Sequence, residues 1–224
     1  MEIRIKLLSD TTFGRGDGVS GLVDQEIEHD PLTGLPIVRG RTLKGLLVEA
    51  CADLFYALGH SGAMPSHLTR AAHFLFGTPG SDLSSAAKVH VGTAQLPDLL
   101  RKAVQADVDA RRLTTADVLD ALTEVRRQTS VDETTDMPAK GSLRSIRVLL
   151  RGTELIAPVT FPPASKSRTD LHAQQLLAAC VASVQRGGLS RNRGKGRLEL
   201  SLWENGTDKT GVLLAQFLQG ATST

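Results

Sequence analysis

The chain opens on Glu-Ile-Arg-Ile-Lys-Leu-Leu at residues 2–8, where charged and apolar positions alternate. A period of two predicts a half-buried strand. The pattern then lapses over residues 13–40 (FGRGDGVSGLVDQEIEHDPLTGLPIVRG), a Gly-, Asp- and Pro-rich stretch that reads as a long irregular connection. Connections of that length in a compact domain tend to carry function. A helical period follows. Leu43, Leu46, Leu47, Ala50, Cys51, Leu54, Phe55 and Leu58 share one face, with Thr42 as the expected cap and Gly59 as the stop. His67–Phe76 reads as a second short helix and Ala87–Ala94 as a strand.

Further along, Asp98 is placed to cap a helix to about Arg111, and Thr114 another to about Gln128, with Val118, Leu119, Leu122 and Val125 as its apolar stripe. Thr129–Gly141 (TSVDETTDMPAKG) reads as a turn-rich arm, and Leu143–Leu150 with Glu154–Phe161 as a strand pair around Arg151-Gly152. After a loop at Pro162–Ser167, a helix over about residues 169–185 buries Leu176, Leu177, Cys180, Val181 and Val184. A strand is predicted over Arg197–Trp203, then a polar segment and a short apolar piece. Without the helical insertion at about residues 60–128, the order approaches β-α-β-β-α-β. The expected class is α+β with a ferredoxin-like core in a single domain over residues 1–224.

Composition adds bounds. Apolar residues at 41% and charged residues at 22% predict a packed globular core. No apolar run reaches about 18 residues, so no membrane span is expected, and the first ten residues lack a signal-peptide core. Cys51 and Cys180 fall in apolar helical patterns, which favours buried free thiols in a cytoplasmic protein over a lone disulfide.

The net charge of +2 predicts no polyanion partner, but its distribution is uneven. Three basic islands lack any carboxylate: Arg39, Arg41 and Lys44; Lys140, Arg144, Arg147 and Arg151; and Arg186, Arg191, Arg193, Lys195 and Arg197. They form either one polyanion-binding face or three unrelated solvated loops.

The third island lies in GGLSRNRGKGR, residues 187–197, with four glycines and four cations. A phosphate-binding P-loop needs G-x-x-x-x-G-K-[ST] between a strand and a helix. Here Leu189 stands five before Gly194, Gly196 follows Lys195, and the loop runs from helix to strand. The dinucleotide fingerprint fails on the same reversal. What remains is either a glycine helix stop with solvent-facing arginines or a flexible backbone carrying guanidinium groups toward phosphates. The six histidines show no metal spacing, and a serine-hydrolase elbow is missing. Asp17, Asp24, Glu26, Glu28 and Asp30 crowd the first loop, either as turn and surface acids or as ligands for a divalent ion beside a cationic face. With six Phe, one Tyr and one Trp there are few stacking platforms, so RNA binding would run through phosphates and shape.

Two segments together resemble the RAMP superfamily of CRISPR-associated proteins. Asp30-Pro-Leu-Thr-Gly-Leu-Pro-Ile-Val-Arg-Gly-Arg-Thr-Leu-Lys-Gly-Leu-Leu47 is similar to that family's D-P-x-T-G-x-P-Y-I-P-G-S-S-L-K-G run, and residues 187–200 to its C-terminal glycine-rich loop. The order and spacing agree over about the whole chain. Size and the Gly21-Leu-Val-Asp24 approach resemble backbone subunits of type III effector complexes of the Csm/Cmr kind. The resemblance implies a modified, RRM-like ferredoxin core, guide RNA (crRNA) on a basic palm, and a β-hairpin thumb, here about residues 129–142 with Met137 near its tip. It implies RNA contacts from Arg39, Arg41, Thr42, Lys44, Arg191, Arg193, Lys195, Arg197 and Met137. It also implies metal-dependent cleavage of target RNA through Asp24, six residues before Asp30, with Mg²⁺ or another divalent cation. Thr42 stands for the family's serine, Arg39 for its proline, and Val48 where an arginine often follows, which leaves the subtype open to a divergent branch such as type III-D.

The expected partners are therefore crRNA, target RNA, copies of the chain itself and other effector subunits. The alternatives are a purely structural crRNA-binding subunit, a crRNA-processing endonuclease acting through a histidine, and a small-molecule α/β enzyme.

Overall fold

A computed structural model describes residues 1–19, 21–61, 65–78, 85–129, 135–137, 139, 141–162 and 168–222. In chain order the elements are β1 (Glu2–Leu7), α1 (Gly40–Ser61), α2 (Ser66–Phe76), β2 (His90–Val91), α3 (Asp98–Asp109), α4 (Thr115–Leu122) and β3 (Thr123–Gln128). They continue with β4 (Arg144–Leu149), β5 (Glu154–Thr160), α5 (Arg168–Ser183), β6 (Leu198–Glu204), β7 (Thr207–Asp208) and α6 (Thr210–Thr222).

Period-two patterning decides the sheet. Ile3, Ile5 and Leu7 of β1 are buried, as are Leu155, Ala157 and Val159 of β5 and Leu198, Leu200 and Leu202 of β6. Ile5 pairs with Leu155 on one side and Leu200 on the other, so three apolar rows align on one face. The sheet is antiparallel in the order β2-β5-β1-β6-β7. Setting aside the short β7, this is the strand order of a ferredoxin-like β-α-β-β-α-β unit. The helices supply the rest of the core through Leu43 and Leu47 of α1 and Leu176 and Leu177 of α5, each contributing about 1.5–3 kcal/mol by leaving water. The other face carries Glu2, Arg4, Lys6, Ser201 and Trp203, with the Arg4 guanidinium 3.7 Å over the Trp203 ring. α1 begins at a glycine because a Cβ on Gly40 would stand 2.1 Å from the Val91 carbonyl oxygen of β2.

Several sequence expectations change. Thr42 does not cap α1: the helix starts two residues earlier, and the Arg39 carbonyl accepts from the N–H groups of Thr42 and Leu43. Pro97, not Asp98, precedes α3, and Asp98 instead pairs with Arg101 and Lys102. Thr114 does cap α4, in a reciprocal box with Asp117. That helix ends at Leu122 rather than near Gln128, because residues 123–128 form β3; the Thr123 hydroxyl closes the helix by donating to the Leu119 carbonyl.

β4 pairs with β3, not with β5. Both edges of β5 are occupied, by β1 and β2. The turn at residues 150–153 hooks onto the end of β1 instead: Gly152 N–H donates to the Leu7 carbonyl at 2.7 Å and Leu7 N–H to that of Thr153 at 3.0 Å. β3 and β4 thus form a separate two-stranded ribbon. The arm assigned to residues 129–141 joins its strands, but residues 130–134, 138 and 140 lie outside the described residues, as does most of the Pro162–Ser167 loop. The long loop after β1 runs back along the ribbon: Thr11 exchanges backbone hydrogen bonds with Leu149 at 3.1 and 2.8 Å, and Gln25 pairs with Ile146.

Cys51 and Cys180 are free and buried on α1 and α5. A hydrogen bond with the Cys51 thiol, together with burial, pushes the Cys180 pKa well up. Among the described residues no helix is long and apolar enough to cross a membrane.

Candidate nucleic-acid interface

The glycine-rich loop is a closed excursion between α5 and β6. Gly187 N–H donates to the Gly196 carbonyl at 2.9 Å and Leu198 N–H to that of Gln185 at 2.9 Å, which cinches its base. The base is pinned on the first loop: Leu189 N–H reaches the Thr12 carbonyl at 2.8 Å, and Gly196 N–H that of Asp10 at 3.1 Å. Gly196 has φ +71°, and a Cβ there would stand 2.1 Å from the Gly187 carbonyl oxygen, so the closure requires glycine.

The loop packs against α1. Leu46 lies against Gly187, and Arg191 makes a bidentate pair with Glu49 at 2.7 and 2.8 Å. This pair lowers the Glu49 pKa and raises that of Arg191. Arg186 donates to the Arg191 carbonyl at 2.7 Å, which braces the loop from within. Arg193 and Arg197 are exposed, and among the described residues neither side chain has an ion-pair partner. Lys195 differs: its ammonium nitrogen is buried and, among the described residues, has no hydrogen-bond partner.

Through Leu46 and Glu49 the second and third turns of α1 lie beside residues 187–197. Arg41 and Thr42 are exposed and Lys44 half-buried, while Arg39 is held by Glu28 at 2.7 Å. The first turn of α1 holds no acidic residue, and a helix N-terminus carries partial positive charge. The first and third basic islands thus lie on elements that pack together, Arg41 and Lys44 on α1 and Arg191, Arg193 and Arg197 on the loop.

The remaining island does not join them as a unit. Arg147 is turned inward, 3.0 Å from Glu26 and 2.8 Å from Asp120, and it donates to the Thr123 hydroxyl at 2.9 Å. Glu26, at 2% exposure, is the buried partner that draws it in. Arg144 and Arg151 stay exposed near opposite ends of β4. Asp10 connects these parts: its carboxylate accepts from Arg126 at 3.0 Å and from the Arg151 N–H at 3.2 Å.

Asp24 is exposed and lies against the start of β4. Its Oδ2 accepts from the Ser145 N–H at 2.6 Å and hydroxyl at 2.9 Å, and its own N–H donates to the Ser145 carbonyl at 2.9 Å. The Ser145 N–H, then its hydroxyl, then nearby Arg144 hold the Asp24 pKa below the usual carboxylate value. Among the described residues no three His, Cys, Asp or Glu side chains are placed to hold a metal ion together. One carboxylate fits a Mg²⁺ only as a single ligand shared with RNA phosphates. Met137 is 67% exposed in the arm between β3 and β4. No described contact joins Asp24 or Met137 to the glycine-rich loop; residues 10–14 of the first loop lie between Asp24 and that loop.

Sequence reading missed Ser145, Asp10, Glu28 and Glu49 as partners of the candidate residues. Ser145 and Glu49 act across 121 and 142 residues, where periodicity carries no signal, and Glu28 lies 11 residues from Arg39 across an irregular stretch that has no period to read.

The RAMP superfamily model matches residues 4–199. A chain of the type III-B Cmr-beta cryo-EM structure in the apo state has a similar fold, with a TM-score of 0.63 and 13% identity over 92% of this chain and 98% of that one. A chain of the type III-B Cmr-beta structure bound to cognate target RNA gives 0.60 and 13% identity, over 89% and 95%. No curated protein sequence matches. With the family model spanning most of the sequence and the strand order of a ferredoxin-like core, the chain belongs to the RAMP superfamily.

Proposed function

We propose that this chain is a crRNA-binding backbone subunit of a type III CRISPR effector complex, and that Asp24 takes part in cleaving the target RNA. The observation that carries the RNA-binding half is the packing of the glycine-rich loop on α1 through Leu46 and Glu49. Arg41 and Lys44 on that helix, with Arg193 and Arg197 on the loop, would supply the cations beside a backbone rich in small residues. A guide must be held whatever its sequence, so contacts belong on phosphate and sugar rather than on base edges. Arg39 and Arg191 join once RNA phosphates compete with Glu28 and Glu49. The partners that this reading implies are crRNA, target RNA, further copies of the chain and other effector subunits.

For cleavage, Asp24 supplies a carboxylate held ionised by Ser145 and Arg144. A divalent cation bound there with the RNA would neutralise charge developing on the reacting phosphate. A second reading, a structural subunit without nuclease activity, draws on the Asp24–Ser145 hydrogen bonds, which by themselves account for an aspartate at this position.

The test uses the complex assembled with its operon partners, a matched RNA and Mg²⁺. Asp24→Ala should abolish cleavage and leave RNA binding intact. Unchanged cleavage would remove the catalytic assignment, and a wild-type complex that never cuts would favour the structural reading. The absence of any discrete RNA in the purified complex would overturn both.

A further inference from the structure

Asp24 sits on a two-rung ladder. Residues 24–26 run beside residues 145–147, joined by hydrogen bonds from Gln25 N–H to the Ser145 carbonyl at 3.2 Å and from Arg147 N–H to the Gln25 carbonyl at 3.0 Å. In extended chain, residues two apart share a side. Asp24 and Glu26 thus face Ser145 and Arg147 in register. The inner rung is the buried Glu26–Arg147 pair, tied onward to Asp120 and Thr123. The outer rung, Asp24–Ser145, is exposed.

The outer rung is asymmetric. Both Ser145 donors converge on Oδ2, and the Ser145 hydroxyl oxygen lies 3.2 Å from the Asp24 N–H, within hydrogen-bond reach. Oδ1 accepts no hydrogen bond among the described residues. A solvent-facing aspartate ordinarily rotates and offers two equivalent oxygens; here the inner rung fixes the backbone and the hydroxyl fixes the carboxylate.

We infer that Ser145 is a positioning residue for Asp24, holding Oδ2 so that Oδ1 alone is presented to the cation and phosphate of the target RNA. This rests on the reading of Asp24 as a cleavage residue. Outer-shell partners of metal-binding carboxylates typically change metal affinity or activity by about 10–100-fold when removed. Because Ser145→Ala keeps the backbone N–H donor, the low end of that range applies.

The experiment compares wild type, Ser145→Ala, Ser145→Thr and Asp24→Ala in the assembled complex. Single-turnover cleavage is measured against RNA and Mg²⁺ concentration. In parallel, Mn²⁺ binding is followed by electron paramagnetic resonance on complexes carrying a target with 2′-deoxy nucleotides at the cut positions. Ser145→Ala should lower the maximal rate about tenfold and weaken the Asp24-dependent Mn²⁺ signal by a similar factor. The RNA concentration for half-maximal rate should stay within about twofold, and Ser145→Thr, which retains a hydroxyl, should restore both rate and signal. If Asp24→Ala is inactive while Ser145→Ala matches wild type, the inference fails and the proposed function stands. If Asp24→Ala cuts normally, the proposed function fails. If Ser145→Ala loses RNA binding and thermal stability together and threonine restores neither, the serine is a structural clamp and the inference fails.

Discussion

Two long irregular segments meet at the candidate interface, and they are held in opposite ways. The first loop, between β1 and α1, is stitched down along its length. Thr11 exchanges bonds with Leu149, Val38 with Ala94, and Phe13, Val23, Ile27, Leu35 and Val38 are buried beneath it. The glycine-rich loop is cinched only at its base. Toward its tip the described contacts are the Arg193 N–H to the Ser190 carbonyl, the Arg186 brace and the Arg191–Glu49 pair. A segment that must present one carboxylate at a fixed angle gains from the first arrangement. A segment that must follow the backbone of any guide sequence gains from the second. The contrast divides the proposed work: one loop sets geometry, the other adapts to phosphate.

The largest break in this comparison should come from Arg147→Ala. It removes the guanidinium opposite the buried Glu26 carboxylate, and should cost about 3 kcal/mol of unfolding free energy in a denaturant titration. It should also release the first loop, seen as faster amide exchange over residues 23–27 than over residues 187–197. Next in size, Gly196→Ala forces a side chain into left-handed backbone against a carbonyl oxygen. At a strain of about 1–3 kcal/mol it should lower RNA affinity roughly tenfold in filter binding, with amide exchange over residues 23–27 unchanged.

Smaller, and opposite in sign, Glu49→Gln removes the carboxylate that competes with RNA for Arg191. Affinity should rise about threefold at low salt, and the gain should shrink as salt screens the pair. The smallest effect concerns His172 on α5, the helix that feeds the glycine-rich loop, packed 4.6 Å from His67. Burial, then His67, Arg168 and Arg70, holds its pKa below the ordinary value. The unfolded chain takes up that proton as pH falls through about 6.5, so the stabilisation of the neutral ring is present above that pH and lost below it. Melting temperature should fall by a few degrees between about pH 7.5 and 5.5, and His172→Gln should flatten part of the slope.

How far the sequence spoke depended on range. Local rules found β1, α1, α2 and α5 within a few residues, since their buried rows repeat at two or 3.6. The Thr114–Asp117 box is likewise a three-residue relation. Nothing local could show that β4 would leave β5 for β3, a choice made by β1 and β2 taking both edges of β5. The apolar stripe that predicted a helix to Gln128 had only Val125 beyond Leu122, too little to hold a helix against pairing with β4. For the candidate site, the quoted motifs singled out Asp24, Lys44 and the glycine-rich loop. They were silent on the carboxylates opposite Arg39 and Arg191. Treating Arg147 as part of a basic island failed because charge along a chain says nothing of a buried Glu26.

Asp10 gives this architecture a particular genetic signature. Through its carbonyl it holds Gly196, and through its carboxylate it holds Arg126 of β3 and the turn after β4. A single base change in its codon would remove only the carboxylate: the ribbon would loosen, while the main-chain bond to Gly196 stayed in place. Second-site suppressors would be expected near β3 and the turn after β4 rather than in the glycine-rich loop.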